Sequence, residues 1–334
     1  MRKLINDPFA VVDEMVDGLE AAYGAQVEVT RSRRGIVSRA RASARRVAVV
    51  TGGGSGHEPA FFGYVGPGLA DGAAVGNVFA SPSATPIVEV AERTHRRDGV
   101  LFVYGNYEGD RMNFEMASEL LDERGIRTLH LRVSDDLASA PAEERERRRG
   151  VAGDVFVLKA AGARADEGAP LEDVYAAGVH ANDRTRTIGV GLAPCTVPAA
   201  GRPTFELPEG MMDVGIGAHG EAGLSRRALA SADEVADELL ELLLTELSPD
   251  GAVWVLVNML GATPLMEGLV VLRRVTGNLA ELGIPVHRAR VGEFLTSLEM
   301  AGVSLTLCAL DEELLRLLDA PASSLAAPRL DDPW

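Results

Sequence analysis

Apolar and polar positions along this 334-residue chain alternate between two periods. Residues 8–23 repeat their apolar positions every three to four residues, the pattern of a helix with one buried face. Residues 46–50 (RVAVV) and 99–104 (GVLFVY) are instead short continuous apolar runs, which mark strands covered on both faces. Residues 69–79 follow the first of these runs. A Pro- and Ser-rich turn at 80–86 then leads into a helix ending near residue 95. After the second run come a helix from about residue 113, a strand at 127–133 and an acidic turn with Asp135 and Asp136. Residues 154–159 (DVFVLK) read as a further short strand. From about residue 45 to 182, strands and helices alternate, as in α/β proteins.

A second block begins near residue 187. It reads as a strand at 188–192, a proline-broken loop (CTVPAAGRP), and short segments at 205–207 and 212–216. A helix at 231–247, a strand at 252–260, a helix at 265–282, strands at 286–291 and 303–310 and a helix at 312–318 follow. The last dozen residues read as a tail. The expected architecture is two α/β domains with mixed sheets flanked by helices, residues 1–185 and 186–334. The ligand site is expected at the C-terminal ends of the strands.

Charge narrows the partners. The formal net charge is −16, with 25% charged and 46% hydrophobic residues. Nucleic acids and anionic membranes both demand clustered positive charge, so the balance argues against either. No apolar run reaches membrane-spanning length, and the start, MRKLINDPFAVVDEMV, reads as an acidic amphipathic helix, which favours the cytoplasm. The run EERERRR at 143–149 reads as a solvated helix face or loop, because mixed signs at helical spacing usually do. Lys3 and Lys159 are the only lysines, so a lysine-based phosphate clamp has almost no candidates. Cys195 and Cys308 sit in apolar segments and read as buried, reduced thiols. No His-x-x-x-His or Cys-x-x-Cys spacing supports a zinc site.

The candidate chemistry lies in two glycine-rich stretches, each with one histidine: TGGGSGHEP at 51–59, with His57, and GIGAHGEAG at 215–223, with His219. Glycine runs let backbone approach a ligand closely, and imidazole transfers protons near neutral pH. The pairing suggests one small-molecule site assembled from two distant segments. The first loop lacks the Gly-Lys-Ser/Thr ending of a phosphate-binding loop and the Gly-x-Gly-x-x-Gly pattern of a dinucleotide turn. A plain strand–helix turn is its structural alternative. In GNYEGD, Asp110 falls just past a buried strand, on the edge expected for His57. Such a carboxylate can be an ordinary turn former or half of an acid/base pair. His95, His130, His180 and His287 show no comparable setting; His95 and His130 show no second polar partner in the sequence.

Taken in order, KLINDP, GGGSGHEP, GYVGPGL, FASPS, NYEGDRMNFE, RRGVAG, CTVPAAGRPTFEL, GIGAHGEAG, NMLGATPL and TSLEMAGVSLTL closely resemble the ketose-binding, DhaK-type subunit of dihydroxyacetone kinase. The resemblance implies a two-domain α/β subunit, commonly a homodimer, that binds dihydroxyacetone. It implies that His219 forms a covalent hemiaminal with the ketone carbon. It further implies that Gly54, Ser55, Gly56 and His57 hold the substrate, that His57 serves proton transfer, and that Asp110 binds the hydroxyl to be phosphorylated. No cofactor is expected in this chain; ATP or ADP with Mg is expected on a separate DhaL-type partner. One position departs from the family. A lysine that contacts substrate commonly precedes Asn-Tyr-x-Gly-Asp, and here that residue is Gly105. Either an arginine from elsewhere takes that role, or the substrate differs, with a four-carbon ketose such as erythrulose as the candidate. A ketose sensor acting on a transcription regulator is the alternative function.

Overall fold

The computed structural model describes residues 3–325 apart from 41 and 43; the far end of the expected tail lies outside the described residues. The chain forms two compact units that are not contiguous in sequence. The first gathers Met1–Val133, Val155–His180 and Arg316–Trp334, and the second gathers Ser134–Asp154 and Ala181–Leu315. The boundary expected at 185/186 thus has a counterpart at 180/181, but 134–154 groups with the second unit and the C-terminal segment with the first.

The first unit opens with helix α1 (Val11–Tyr23), which buries Val12, Val16 and Leu19 along one stripe. Strands β1 (Val27–Val29) and β2 (Gly35–Ser38) occupy the basic segment that gave no strand pattern. Then come β3 (Ala48–Ser55), β4 (Gly72–Val78), α2 (Ala84–Thr94), β5 (Val100–Gly105), α3 (Glu108–Asp122) and β6 (Thr128–Val133). The six-stranded sheet runs β1-β2-β4-β3-β5-β6, with β4, β3, β5 and β6 parallel and β1 and β2 antiparallel at the edge. The chain passes from β3 outward to β4, then returns through α2 to β5 on the other side. This reversal leaves a crevice at the strand C-termini. On one face, Val50, Val100, Phe102 and Tyr104 pack against Ile87, Val90, Phe114 and Leu121 of α2 and α3.

Residues 154–159 are not a strand. They begin α4 (Asp154–Asp166), followed by α5 (Leu171–Asp183). Residues 155–161 are all buried, Lys159 among them, so the helix lacks the polar stripe by which a surface helix is read. A short apolar run is ambiguous between buried helix and buried strand; the alanines that follow extend this one as a helix. α5 packs so tightly on β6 that a Cβ at Gly178 would lie 2.4 Å from Leu131. Buried Lys159 donates to the carbonyls of Leu317 and Ala320. Buried Arg45 bridges Asp71 and Asp166 and also donates to the Leu69 and Gly162 carbonyls.

The second unit contains β7 (Thr185–Ala193), β8 (Met211–Val214), β9 (Ser225–Ala228), α6 (Ala232–Glu246), β10 (Val253–Met259), α7 (Leu265–Glu281), β11 (Val286–Gly292) and β12 (Ala301–Ala309); α8 (Glu312–Asp319) follows. The order is β11-β10-β12-β7-β8-β9; only β10 and β11 are parallel. Both sheets are therefore mixed and flanked by helices, as expected. Residues 205–207 form no strand. Ser231 and Glu234 make a capping box that starts α6. Leu239 and Leu243 of α6 and Val271 and Val275 of α7 cover Val190, Val255, Val257 and Leu305. Arg148 is fully buried and grips Glu246 with two bonds of 2.6 and 2.7 Å. The charge run at 143–149 is thus not wholly a solvated face. Its first part makes a 3-10 turn, Ala142–Arg147, with no buried residue, while its last two arginines turn inward.

Candidate functional site

In the first unit, three loops meet at the C-terminal edge of the sheet. β3 ends in the glycine run because bulk cannot be accommodated there: a Cβ at Gly53 would lie 2.0 Å from the Phe61 ring. Ser55 donates its hydroxyl proton to the Gly76 carbonyl at 2.7 Å, tying β3 to β4. The Gly56 N–H donates to both carboxylate oxygens of Glu58 at 3.0 Å. Burial pushes the Glu58 carboxyl up from its ordinary value, opposed by that backbone bond. His57 is only 4% exposed, and its imidazole stacks on Phe79 with centroids 4.9 Å apart. Phe79 follows β4 with a positive φ of 56°.

β5 delivers the third loop. Gly105 is its last residue, buried and level with Val133 of β6. The chain then leaves the sheet as Asn106 N–H donates to Val133 O and Tyr107 N–H to Gly105 O. Asp110 lies buried in the first turn of α3, where the helix dipole favours a carboxylate. The start of α3 borders the loop after β4: a Cβ at Gly109 would sit 3.4 Å from Ser81. Gly54, Ser55, Gly56, His57, Gly105 and Asp110 thus share one edge of one sheet.

An anion-binding turn aims backbone N–H groups outward at the anion. Here the Gly56 N–H is spent on a carboxylate, and the loop carries no lysine.

In the second unit, His219 lies in the connection from β8 to β9. Its backbone N–H donates to Glu221 Oε2 at 2.9 Å, and its Nδ1 lies 3.1 Å from Glu221 Oε1. An ionised carboxylate only accepts, so the contact fits an Nδ1–H donor; a neutral ring bonded in this way carries its lone pair on Nε2. Burial alone would raise the Glu221 carboxyl. The hydrogen bond and electrostatic pull of His219 and the charge of Arg149 outweigh it and hold the group down at about 2. Arg149 Nη1 stands 3.5 Å from Glu221 Oε2, while its Nε and Nη2 reach Asp136 Oδ2 at 2.9 and 2.8 Å. Gly217 must be glycine for this cluster to close: a Cβ there would meet Glu221 at 2.2 Å and Arg149 at 2.5 Å. Burial pushes Asp136 up to about 6 against the opposing charge of Arg149. Asp135, fully buried, accepts from the Val151 and Gly153 N–H groups and from Thr187, which fastens the 149–153 segment. Behind the loop lies a cavity of about 20 Å³ lined by Asp136, Ala218, Asn258 and Ser297, room for about one water.

Sequence reasoning missed Glu221, Arg149, Asp136 and Glu58 as members of these clusters. Glu221 sits two residues past His219 and Glu58 directly follows His57, so position was their available signal. His130 also differs from its reading: it hydrogen-bonds Tyr104 and Ser118 at 3.1 and 2.7 Å. Both cysteines are buried and, among the described residues, outside any disulfide, and burial lifts the Cys308 thiol to about 12.

A family model described as the Dak1 domain matches residues 17–326. The chain belongs to the Dak1 family. It is 43% identical to a dihydroxyacetone-binding subunit DhaK of a PTS-dependent dihydroxyacetone kinase from Listeria innocua, covering 97% of this chain and 98% of that subunit. It is 46% identical to an L-erythrulose kinase from Pectobacterium atrosepticum over 98% of this chain, but it spans only 56% of that longer protein. Among solved structures, a dihydroxyacetone kinase operon co-activator, Dha-DhaQ, superposes with a TM-score of 0.88 at 30% identity, covering 95% of this Dak1 chain and 98% of the co-activator. No helix among the described residues is long and apolar enough to cross a membrane.

Proposed function

We propose that this Dak1 chain is the ketose-binding subunit of a short-chain ketose kinase. The observation that carries the reading is the match, over nearly the whole of both chains, to a dihydroxyacetone-binding subunit. His219 adds through Nε2 to the ketone carbon. The C=O π pair moves to oxygen, and one proton passes in net from Nδ1 to that oxygen, leaving a neutral hemiaminal. The adduct fixes a small, flexible substrate in one orientation and rejects glycerol, which has no carbonyl. His57 and Asp110 serve the terminal hydroxyl as acid/base and hydrogen-bond partner. Gly54, Ser55 and Gly56 line the place where it is held.

The phosphoryl group comes from a separate DhaL-type subunit, which carries ATP or ADP with Mg. That group supplies charge neutralisation at the transferring phosphoryl. The match to a dihydroxyacetone-binding subunit over 98% of that subunit's length supports this division. The subunit acts as a cytoplasmic homodimer and, alone, turns over no ketose. Gly105 in place of a long cation favours a tetrulose over dihydroxyacetone. The second reading, a ketose sensor acting on a transcription regulator, draws on the co-activator likeness; the presence of His57, Asp110 and His219 together favours the kinase.

The test titrates dihydroxyacetone and both erythrulose enantiomers into the purified chain, then adds a DhaL-type subunit and phosphoryl donor. Erythrulose should bind at least as well as dihydroxyacetone, and product should form only with the partner present. Turnover by the chain alone with ATP and Mg would refute the division of labour. A preference for dihydroxyacetone above about tenfold, roughly 1.4 kcal/mol, would refute the role given to Gly105.

A further inference from the structure

The RRGVAG segment supplies a residue to the His219 cluster that the ketose reading leaves without a task. Arg149 is 15% exposed at its side chain and is held by two bonds to the Asp136 carboxylate, itself 5% exposed. From that anchored position it faces Glu221 Oε2, the same oxygen that receives the His219 backbone N–H. The other oxygen, Oε1, faces the ring at Nδ1. Each carboxylate oxygen therefore has a defined duty, and the direction of the carboxylate is fixed from two sides. Asp135 fastens the backbone on which Arg149 is mounted, through Val151 and Gly153. A carboxylate merely capping a turn would need none of this apparatus.

The chemistry asks for such a device. Attack through Nε2 needs the Nδ1–H tautomer, whereas a free imidazole favours its proton on Nε2. As the N–C bond forms, positive charge develops on the ring and is placed best beside a fixed carboxylate. We propose that Glu221 is a positioning residue that holds His219 in its Nδ1–H tautomer, and that Arg149, anchored on Asp136, fixes Glu221 for that task. This rests on the ketose reading for its purpose, but the tautomer itself is a property of the ligand-free chain.

The test uses the full chain with 15N-labelled histidine. Imidazole nitrogen shifts report the His219 tautomer without ligand, and titration with C2-13C dihydroxyacetone reports the adduct. Wild type should show Nδ1–H. Glu221→Ala should move the proton to Nε2 and weaken adduct formation at least tenfold. Glu221→Gln, which keeps a carbonyl acceptor of the same shape, should retain the tautomer but weaken the adduct less than Glu221→Ala. Arg149→Ala should give a mixture of tautomers. An unchanged tautomer in Glu221→Ala would overturn the proposal, and so would adduct affinity within twofold of wild type in both Glu221 variants. Should Glu221→Ala fail to fold, loss of Nδ1–H in Arg149→Ala alone supports the proposal, and its full retention there overturns it. If wild type forms no adduct, the ketose reading fails, and the tautomer shifts still decide the positioning role.

Discussion

The two glycine-rich loops carry the same sequence signature and build different devices. The loop at 51–59 ends a central strand of a parallel array, and its histidine is buried, 4% exposed, with its ring against Phe79. The loop at 215–223 joins two antiparallel strands, and its histidine side chain is 27% exposed and faces a carboxylate. The first ring stacks on an aromatic face, and the second faces a carboxylate at hydrogen-bond distance. Packing suits a group that must hold one position while a proton moves. An ionic clamp suits a nucleophile, because it selects the tautomer and receives the charge that bond formation creates. Glycine beside histidine therefore marks backbone that must come close to something; the neighbouring side chains determine what the histidine does.

Substitutions at the two histidines break the comparison most sharply. His219→Ala should abolish the ketose adduct outright. His57→Ala should leave the adduct in place and lower turnover with the partner by ~10²–10⁴-fold, as measured by steady-state kinetics beside the adduct signal. Equal loss of adduct in both variants would mean that the loops do not divide their tasks.

The next effect concerns one buried arginine from each unit. Arg45 faces two carboxylates, of which Asp71 is 7% exposed at its side chain, whereas Arg148 grips Glu246, which is 21% exposed. Removing one partner of a buried pair costs about 3–5 kcal/mol, because the other charge is stranded. Glu246 can turn to solvent more easily than Asp71. In urea unfolding of the full chain, Arg45→Ala should therefore lose more stability than Arg148→Ala. The reverse order would show that exposure of the orphaned carboxylate does not set the cost.

A smaller effect tests the first loop's packing. Gly53→Ala must displace the Phe61 ring and should cost about 1–3 kcal/mol by the same measurement. A neutral result would mean that the ring yields freely and that the glycine serves the ligand rather than the core.

Much of this was legible beforehand. β3 and β5 are apolar runs because both faces of the sheet are covered, and their C-terminal ends with the segments that follow hold His57, Gly105 and Asp110 at one edge. The α4 segment was not legible, since a helix buried all round has no polar stripe to set its period. Arg148 and Arg149 were hidden inside EERERRR: the run looks uniformly charged, and only the distant partners Glu246, Asp136 and Glu221 separate its inward end from its solvated start. The contrast between the two histidines was hidden for a related reason. Phe79 lies 22 residues past His57 and reaches it only because β3 and β4 are neighbours.

The central claim is that this chain captures a ketose covalently through His219, and the most direct measurement follows the ketone carbon itself. Dihydroxyacetone labelled with 13C at C2, mixed with the purified chain, should give a bound resonance in the tetrahedral carbon region. That signal should be absent with His219→Ala and present with His57→Ala. A bound carbon that stays in the carbonyl region, or a tetrahedral signal that survives His219→Ala, would contradict the account.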